Sequence, residues 1–331
     1  MYSKILIPID NSKYSRYCTD MGVSLAAAFG SELTGSHVYS ANLHDKRFRD
    51  MEMGLPGHYQ EEERLKRSRK VHDSLIGDGL RMISDAYLES FKKGCQESSV
   101  AFNCKMMEGK NWSELVKDIR GTGYDLVIMG LLGLGAVNGN LIGSVCERVV
   151  RKITADVMVV KNGTPLGNRV VVAIDGSDHS FSAMKKTLAL SKQFRLTIEA
   201  VSVYDPHFHR RAFQALAGVL SDEAGKMFRF KEQEKLHDEI IDDGLGKIYQ
   251  GHLDRAVQMG LAEGVEVKST LLAGKAYDEI GKYLKKEPPS LLVVSRFGAH
   301  KTDEQDIGNT AENLLRLAPC NLLITGSTET A

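Results

Sequence analysis

Lys and Arg together number 43 and Asp and Glu also number 43, so this 331-residue chain has no formal net charge and no cationic excess to hold a polyanion, which argues against nucleic acid as a partner. Its apolar runs, such as residues 126–132, fall far short of the roughly 20 residues a membrane span needs, and residues 1–10 read as a strand rather than a signal peptide. Five scattered cysteines show neither close metal-ligand spacing nor the even count of a disulfide framework; reduced thiols and a cytoplasmic location are the expectation.

Short β-branched or apolar runs lie at residues 4–9, 33–39, 100–107, 126–130 and 157–160, and again at 169–174, 198–204, 265–272, 291–295 and 320–324. The first four runs of the two sets are related by a constant offset of 165 positions. That shift pairs Ile9, Asp10, Ser12 and Ser15 with Ile174, Asp175, Ser177 and Ser180, Val38-Tyr39 with Val203-Tyr204, His72-Asp73 with His237-Asp238, and Gly133 and Gly143 with Gly298 and Gly308. One offset without net insertion means duplication. The chain therefore reads as a domain over 1–161, a turn-rich linker over 162–168 and a second domain over 169–331. Continuously apolar runs such as Leu126-Val127-Ile128-Met129 are those of strands covered on both faces, which predicts two doubly wound α/β domains of the Rossmann-like kind with parallel sheets.

Between the second and third strands runs a long charged segment in which Ile76, Leu80, Ile83, Tyr87 and Phe91 recur at spacings of three and four. It predicts an amphipathic helix packed along that stripe, its exposed start supported by pairs such as Glu62 with Lys66 and Glu63 with Arg67. His72 and His237 are expected near the start of such a helix.

The chemistry concentrates at the strand ends. Asp10 and Asp175 close the first strand of each half, each with a serine two residues on, at the edge where open α/β sheets bind ligands. Ligand contact and helix entry are equally good readings of Asp10, while Ser12 and Ser177 fit helix caps. After the fourth strand come Gly130 and Gly133, nine residues, then Gly143-Ser144-Val145 at a helix start. Glycines allow close backbone approach and positive φ, and a helix N-terminus offers N–H groups and a dipole to phosphate. A flexible loop is the bland alternative.

These motifs resemble the universal stress protein family in both halves: a first strand ending in Asp with Ser two on, a second strand ending in Val, and the long G-x2-G-x9-G-S/T loop. The resemblance implies a five-stranded parallel sheet per domain and pairing of two domains, here within one chain, with a further homodimer open. In the nucleotide-binding branch of that family the Asp and Val hold adenosine and the loop holds ribose and phosphates. Carried over, Asp10 and Val38 would contact adenosine, and Gly130, Gly133, Gly143, Ser144 and Val145 would surround the phosphates. The implied ligand is ATP, or AMP or ADP, with Mg2+ a candidate companion.

The second half departs from the pattern. Its matching positions are Asp175, Val203, Gly298, Gly308, Asn309 and Thr310, with Ser295 in place of the first glycine and Asn309 in place of the serine. Both changes are expected to crowd the cradle, and Arg296 and Lys301 are expected to stand as exposed cations. Nucleotide is therefore expected mainly in the first half.

The remaining candidates are weaker. His44, His207 and His209 make a metal site conceivable but incomplete, and Cys146, in the first turn after Gly143, is either a thiol activated by the helix dipole or a packing residue, packing being preferred. No Ser/His/Asp group, Walker lysine or paired carboxylates are recognisable, so the chain reads as a binding and signalling module. A slow ATP hydrolase or transferase, and a structural protein with vestigial sites, are the alternatives.

Overall fold

A computed structural model of the chain describes residues 1–137, 141–206, 242–299 and 306–326. The chain divides into two compact units, residues 1–165 and 166–331. Unit 1 runs β1 (Lys4–Pro8), α1 (Lys13–Phe29), β2 (Glu32–Tyr39), α2 (Ala41–Glu52), α3 (Glu62–Glu97), β3 (Phe102–Glu108), α4 (Asn111–Thr122), β4 (Leu126–Gly130), α5 (Ser144–Lys152) and β5 (Asp156–Val160). Its strands pair in parallel in the order β3-β2-β1-β4-β5.

Unit 2 repeats the plan with β6 (Arg169–Ala173), α6 (Asp178–Phe194), β7 (Thr197–Tyr204), α7 (Asp242–Ala262), β8 (Val267–Ala273), α8 (Ala276–Lys286), β9 (Leu291–Ser295), α9 (Asn309–Leu317) and β10 (Asn321–Thr325). Its order is β8-β7-β6-β9-β10, again parallel. Each unit is thus a doubly wound five-stranded sheet. The middles of the central strands are fully buried, Ile5, Leu6 and Ile7 in one unit and Val170, Val171 and Val172 in the other, as strands covered on both faces must be.

Local chemistry sets the element ends. Ser12 and Ser177 accept the backbone N–H of Ser15 and Ser180, closing the first turns of α1 and α6. The third strand of each unit begins two residues later than the apolar pattern indicates, because the residues before it finish the preceding helix: Val100 N–H donates to the Cys95 carbonyl and Val265 N–H to that of Gly260.

The long helix α3 corrects two expectations. Its buried stripe is Ser84, Leu88, Phe91 and Cys95, whereas Ile83 is 44% exposed. Of the expected stripe only Phe91 is fully in the core; its neighbours Leu80, Ile83 and Tyr87 face a cavity. His72 lies well inside α3 rather than at its start, stacked on Phe48 of α2 with ring centroids 4.1 Å apart. The Glu62–Lys66 pair forms at 3.0 Å with both side chains exposed, so it adds little. Phe91 fits because β2 has a glycine beneath it: a Cβ at Gly35 would stand 2.5 Å from the Phe91 ring. The matching positions of unit 2 are Ala200 and Ala256, both fully buried. The same helix–strand contact is thus packed as Gly with Phe in one unit and with two alanines in the other.

Candidate functional site

The chain leaves β1 toward β2 on one side and reaches β4 on the other, so the ground beyond the carboxyl ends of β1 and β4 is where strand order reverses. A cavity of about 710 Å3 opens there in unit 1. Asp10, Val38, Gly130, Gly133, Gly143, Ser144 and Val145 all line it. The unit brings together on one surface the seven residues of its half that the sequence nominated for nucleotide, while His44 and His72 lie outside that lining.

Asp10 anchors the floor. Its Oδ1 accepts Ser12 N–H (2.9 Å) and the Ser15 hydroxyl (2.7 Å), while its own N–H donates to Ser15 Oγ (2.7 Å). Its Oδ2 accepts Leu134 N–H from the glycine loop (3.1 Å). The choice between helix entry and ligand contact was therefore incomplete: the carboxylate shapes the β1–α1 turn, ties it to the loop after β4, and faces the cavity. Asp175 repeats this with Ser177 N–H (3.0 Å) and hydroxyl (2.6 Å) on Oδ1 and Ala299 N–H (2.9 Å) on Oδ2.

The loop glycines serve proximity, not a special φ, which corrects the expectation of left-handed backbone. None of Gly130, Gly133 and Gly143 has positive φ, and Gly143 is extended at φ −73. A Cβ at Gly130 would stand 2.6 Å from Tyr14 Cβ, at Gly133 2.8 Å from Asp10 Oδ2, and at Gly143 3.1 Å from the Leu131 carbonyl. In unit 2, Gly298 and Gly308 are constrained likewise, by Asp175 Oδ2 at 2.5 Å and the Arg296 carbonyl at 3.1 Å.

α5 begins at this loop without a side-chain cap. Gly143 is its N-cap residue and has no side chain to offer, its own N–H goes to the Leu131 carbonyl (2.7 Å), and the first helical bond is Glu147 N–H to the Gly143 carbonyl (3.0 Å). The N–H groups of Ser144, Val145 and Cys146 thus have no acceptor within the helix and sit at the cavity rim. The described lining residues include no Lys or Arg, so an anion here would be met by backbone N–H groups and the helix dipole.

The opposite wall was missed by sequence reasoning. Leu80, Ile83 and Tyr87 of α3 form it, together with His37 at the end of β2. His37 Nδ1 donates to the Ile9 carbonyl (2.6 Å), and its ring meets Tyr87 edge-on at 5.2 Å. The apolar spacing of α3 signalled a buried face, yet nothing in it distinguishes core from cavity.

In unit 2, Asp175 follows β6 and Val203 stands near the end of β7, Gly298 and Gly308 lie between β9 and α9, and Asn309 and Thr310 open α9. Asn309 Oδ1 accepts from the Asn313 side chain (2.8 Å), so its amide is engaged along the helix. Arg296 is 2% exposed, which corrects its reading as an exposed cation: the residue after the strand turns into the protein, as does Phe297. Lys301, His207, His209 and His237 lie outside the described residues. Cys146 is buried and its thiol is pushed up to about 12 by that burial, so packing outweighs the helix dipole. Among the described residues no group of three or more His, Cys, Asp or Glu is arranged to hold a metal.

The Universal stress protein family model matches residues 1–161 and again residues 167–326. The chain belongs to the universal stress protein family. Among curated relatives, a universal stress protein of Methanocaldococcus jannaschii is 28% identical over 161 residues, covering 49% of this chain and 83% of the relative. The protein YxiE of Bacillus subtilis is 24% identical over 161 residues, 49% of this chain and all of the relative. Among solved structures, a universal stress protein from Archaeoglobus fulgidus superposes with a TM-score of 0.63 at 15% identity, covering 98% of both chains. That likeness shows a shared fold over 98% of the chain. Among the described residues no helix is long and apolar enough to cross a membrane.

Proposed function

We propose that unit 1 binds an adenine nucleotide, ATP foremost and AMP or ADP as close alternatives, and that the protein acts as a nucleotide-responsive binding module in the cytoplasm, where its five cysteines, none of them in a disulfide, stay reduced. One observation carries the reading: the seven residues matched to the family's nucleotide positions line a single cavity of about 710 Å3, at whose rim α5 presents three N–H groups without helical acceptors. The apolar wall of Leu80, Ile83 and Tyr87 suits a planar base, and the loop end suits phosphate. Mg2+ is a candidate companion that a titration with and without the ion would test.

Binding without rapid turnover is the form of this proposal. Asp10, the carboxylate at the strand end, already accepts three hydrogen bonds, and burial keeps the Cys146 thiol protonated. Hydrolysis is therefore expected well below the roughly 10 per second typical of enzymes. The test is to denature freshly purified protein, identify and count the nucleotide released, and titrate the stripped chain with ATP. Release of adenine nucleotide, or saturable ATP binding lost on Asp10→Ala, supports the reading. No release and no binding at millimolar ATP overturns it.

A further inference from the structure

At the edge of unit 2 that matches this cavity, a side chain of the unit itself lies over the first turn. A Cβ built at Gly176, the residue after Asp175, would stand 2.3, 2.4 and 2.5 Å from three ring atoms of His252, so the imidazole of α7 lies directly on the β6–α6 turn. Gly176 has φ +85 and no side chain, which admits the ring. Tyr249, one turn earlier on α7, stands behind it with ring centroids 5.4 Å apart, and Tyr204 at the end of β7 lies 6.3 Å from Tyr249. Burial, and then the Asp175 carboxylate, push the Tyr249 phenol up, in keeping with its place at this edge.

Three matched positions account for the difference. In unit 1 they are His37, Tyr87 and Asn11; in unit 2 they are Ser202, His252 and Gly176. Tyr87 leans on the His37 ring, which leaves the space between α3 and the β1–α1 turn open as cavity. Ser202 makes the same bond as His37, to the carbonyl of Ile174 at 2.6 Å, but offers no ring for an α7 side chain to lean on. The Asn11 side chain, present and exposed in unit 1, is absent at Gly176. His252 therefore crosses the gap that unit 1 keeps open.

We infer that His252 is a built-in plug of the second unit's nucleoside pocket, so that unit 2 takes up nucleotide only once this ring is displaced. The inference rests on the nucleotide reading of unit 1. The plug is weakly held: His252 Nδ1 is buried with no hydrogen-bond partner among the described residues, so seating the ring leaves a polar atom unsatisfied. A side chain seated with a buried nitrogen unsatisfied at a ligand edge is one that can be moved aside.

The experiment is equilibrium dialysis of the full chain against radiolabelled ATP, counting sites in the natural protein, in His252→Ala, and in Gly176→Asn. The second variant restores the residue of unit 1 and forces the ring away without deleting it, and Asn tolerates the left-handed backbone better than most residues. One site in the natural chain and two in either folded variant is expected, the second site tightening at least tenfold. Two sites of similar affinity in the natural chain, or a single site in both variants, overturns the plug while leaving unit 1 as read. No binding by any of the three sinks the nucleotide reading and the plug with it.

Discussion

The two units share strand order, capping serines and an aspartate that ties the first turn to the glycine loop, yet they differ where a ligand would rest. In unit 1 the long helix presents Leu80, Ile83 and Tyr87 across an open space; in unit 2 its counterpart sends His252 across that space onto Gly176. The scaffold bonds survived the changes at the rim. That contrast separates what the fold needs, namely Asp10 and Asp175 with their turn and loop N–H groups, from what one unit uses to keep a pocket open.

The sharpest way to break this comparison is at the shared aspartates. Asp10→Ala removes the acceptor for two N–H groups and a hydroxyl and unties the loop, so ATP binding is expected to fall on the order of a hundredfold, whereas Asp175→Ala should leave the first site unchanged. Calorimetric titration checks both, and equal losses would refute the assignment of nucleotide to unit 1. Next comes the core pair that differs between units. Gly35→Ala drives a methyl group into the Phe91 ring and is expected to cost about 2 kcal/mol in urea unfolding, with much of it recovered in the double variant Gly35→Ala, Phe91→Ala, which copies Ala200 and Ala256. Failure of the second change to restore anything would mean that the two positions are not exchanged as a pair.

A smaller effect is expected from Gly130→Ser, which copies Ser295 into unit 1. The new Cβ meets Tyr14 Cβ at 2.6 Å beside the cavity, and about a tenfold loss in ATP affinity should follow; unchanged affinity would show that the end of β4 is not part of the cradle. The smallest concerns stability alone. Glu199 on β7 is pushed up by burial but held lower overall by hydrogen bonds from Thr270, Tyr283 and Arg169, and unit 1 has Thr34 at that position. A carboxylate lowered in the folded state contributes stability that is present above its unfolded value and lost as pH falls through its folded value. Glu199→Gln is therefore expected to cost about 1 kcal/mol at neutral pH and progressively less in acid. A cost that holds constant in melts from pH 7 to pH 3 would remove the charge from the explanation.

Much of this was legible in the chain. The repeat at one offset and the continuously apolar strands determine two doubly wound units, because a strand covered on both faces has little alternative to such a pattern. The Asp and glycine-loop positions were legible because a sheet edge and a helix start restrict them, whereas Val38 and Val203 were named only through the family resemblance. The rest depends on which way a side chain turns after its strand or helix ends. Arg296 looked like a surface cation and is buried; Tyr87 looked like core and faces a cavity; of the two uses read for the loop glycines, close approach and left-handed backbone, only close approach is found. Periodicity reports that a face is covered, and a glycine reports that a Cβ is unwelcome, but neither names the atom standing opposite. His252 was invisible for the same reason, since its place depends on a missing ring at Ser202 and a missing side chain at Gly176.

Gly143 leaves α5 with no side chain to close its first turn, whereas α1 and α6 have serines for that task. An anion seated there, as proposed, would do what a serine does elsewhere, which would make the ligand a detachable part of the architecture. Mass action then couples durability to supply: a nucleotide at a hundred times its dissociation constant adds about 2.7 kcal/mol to the folded state. On the proposed nucleotide reading, a chain finished by its own ligand would last longer in a well-supplied cell and become easier to unfold when nucleotide runs low.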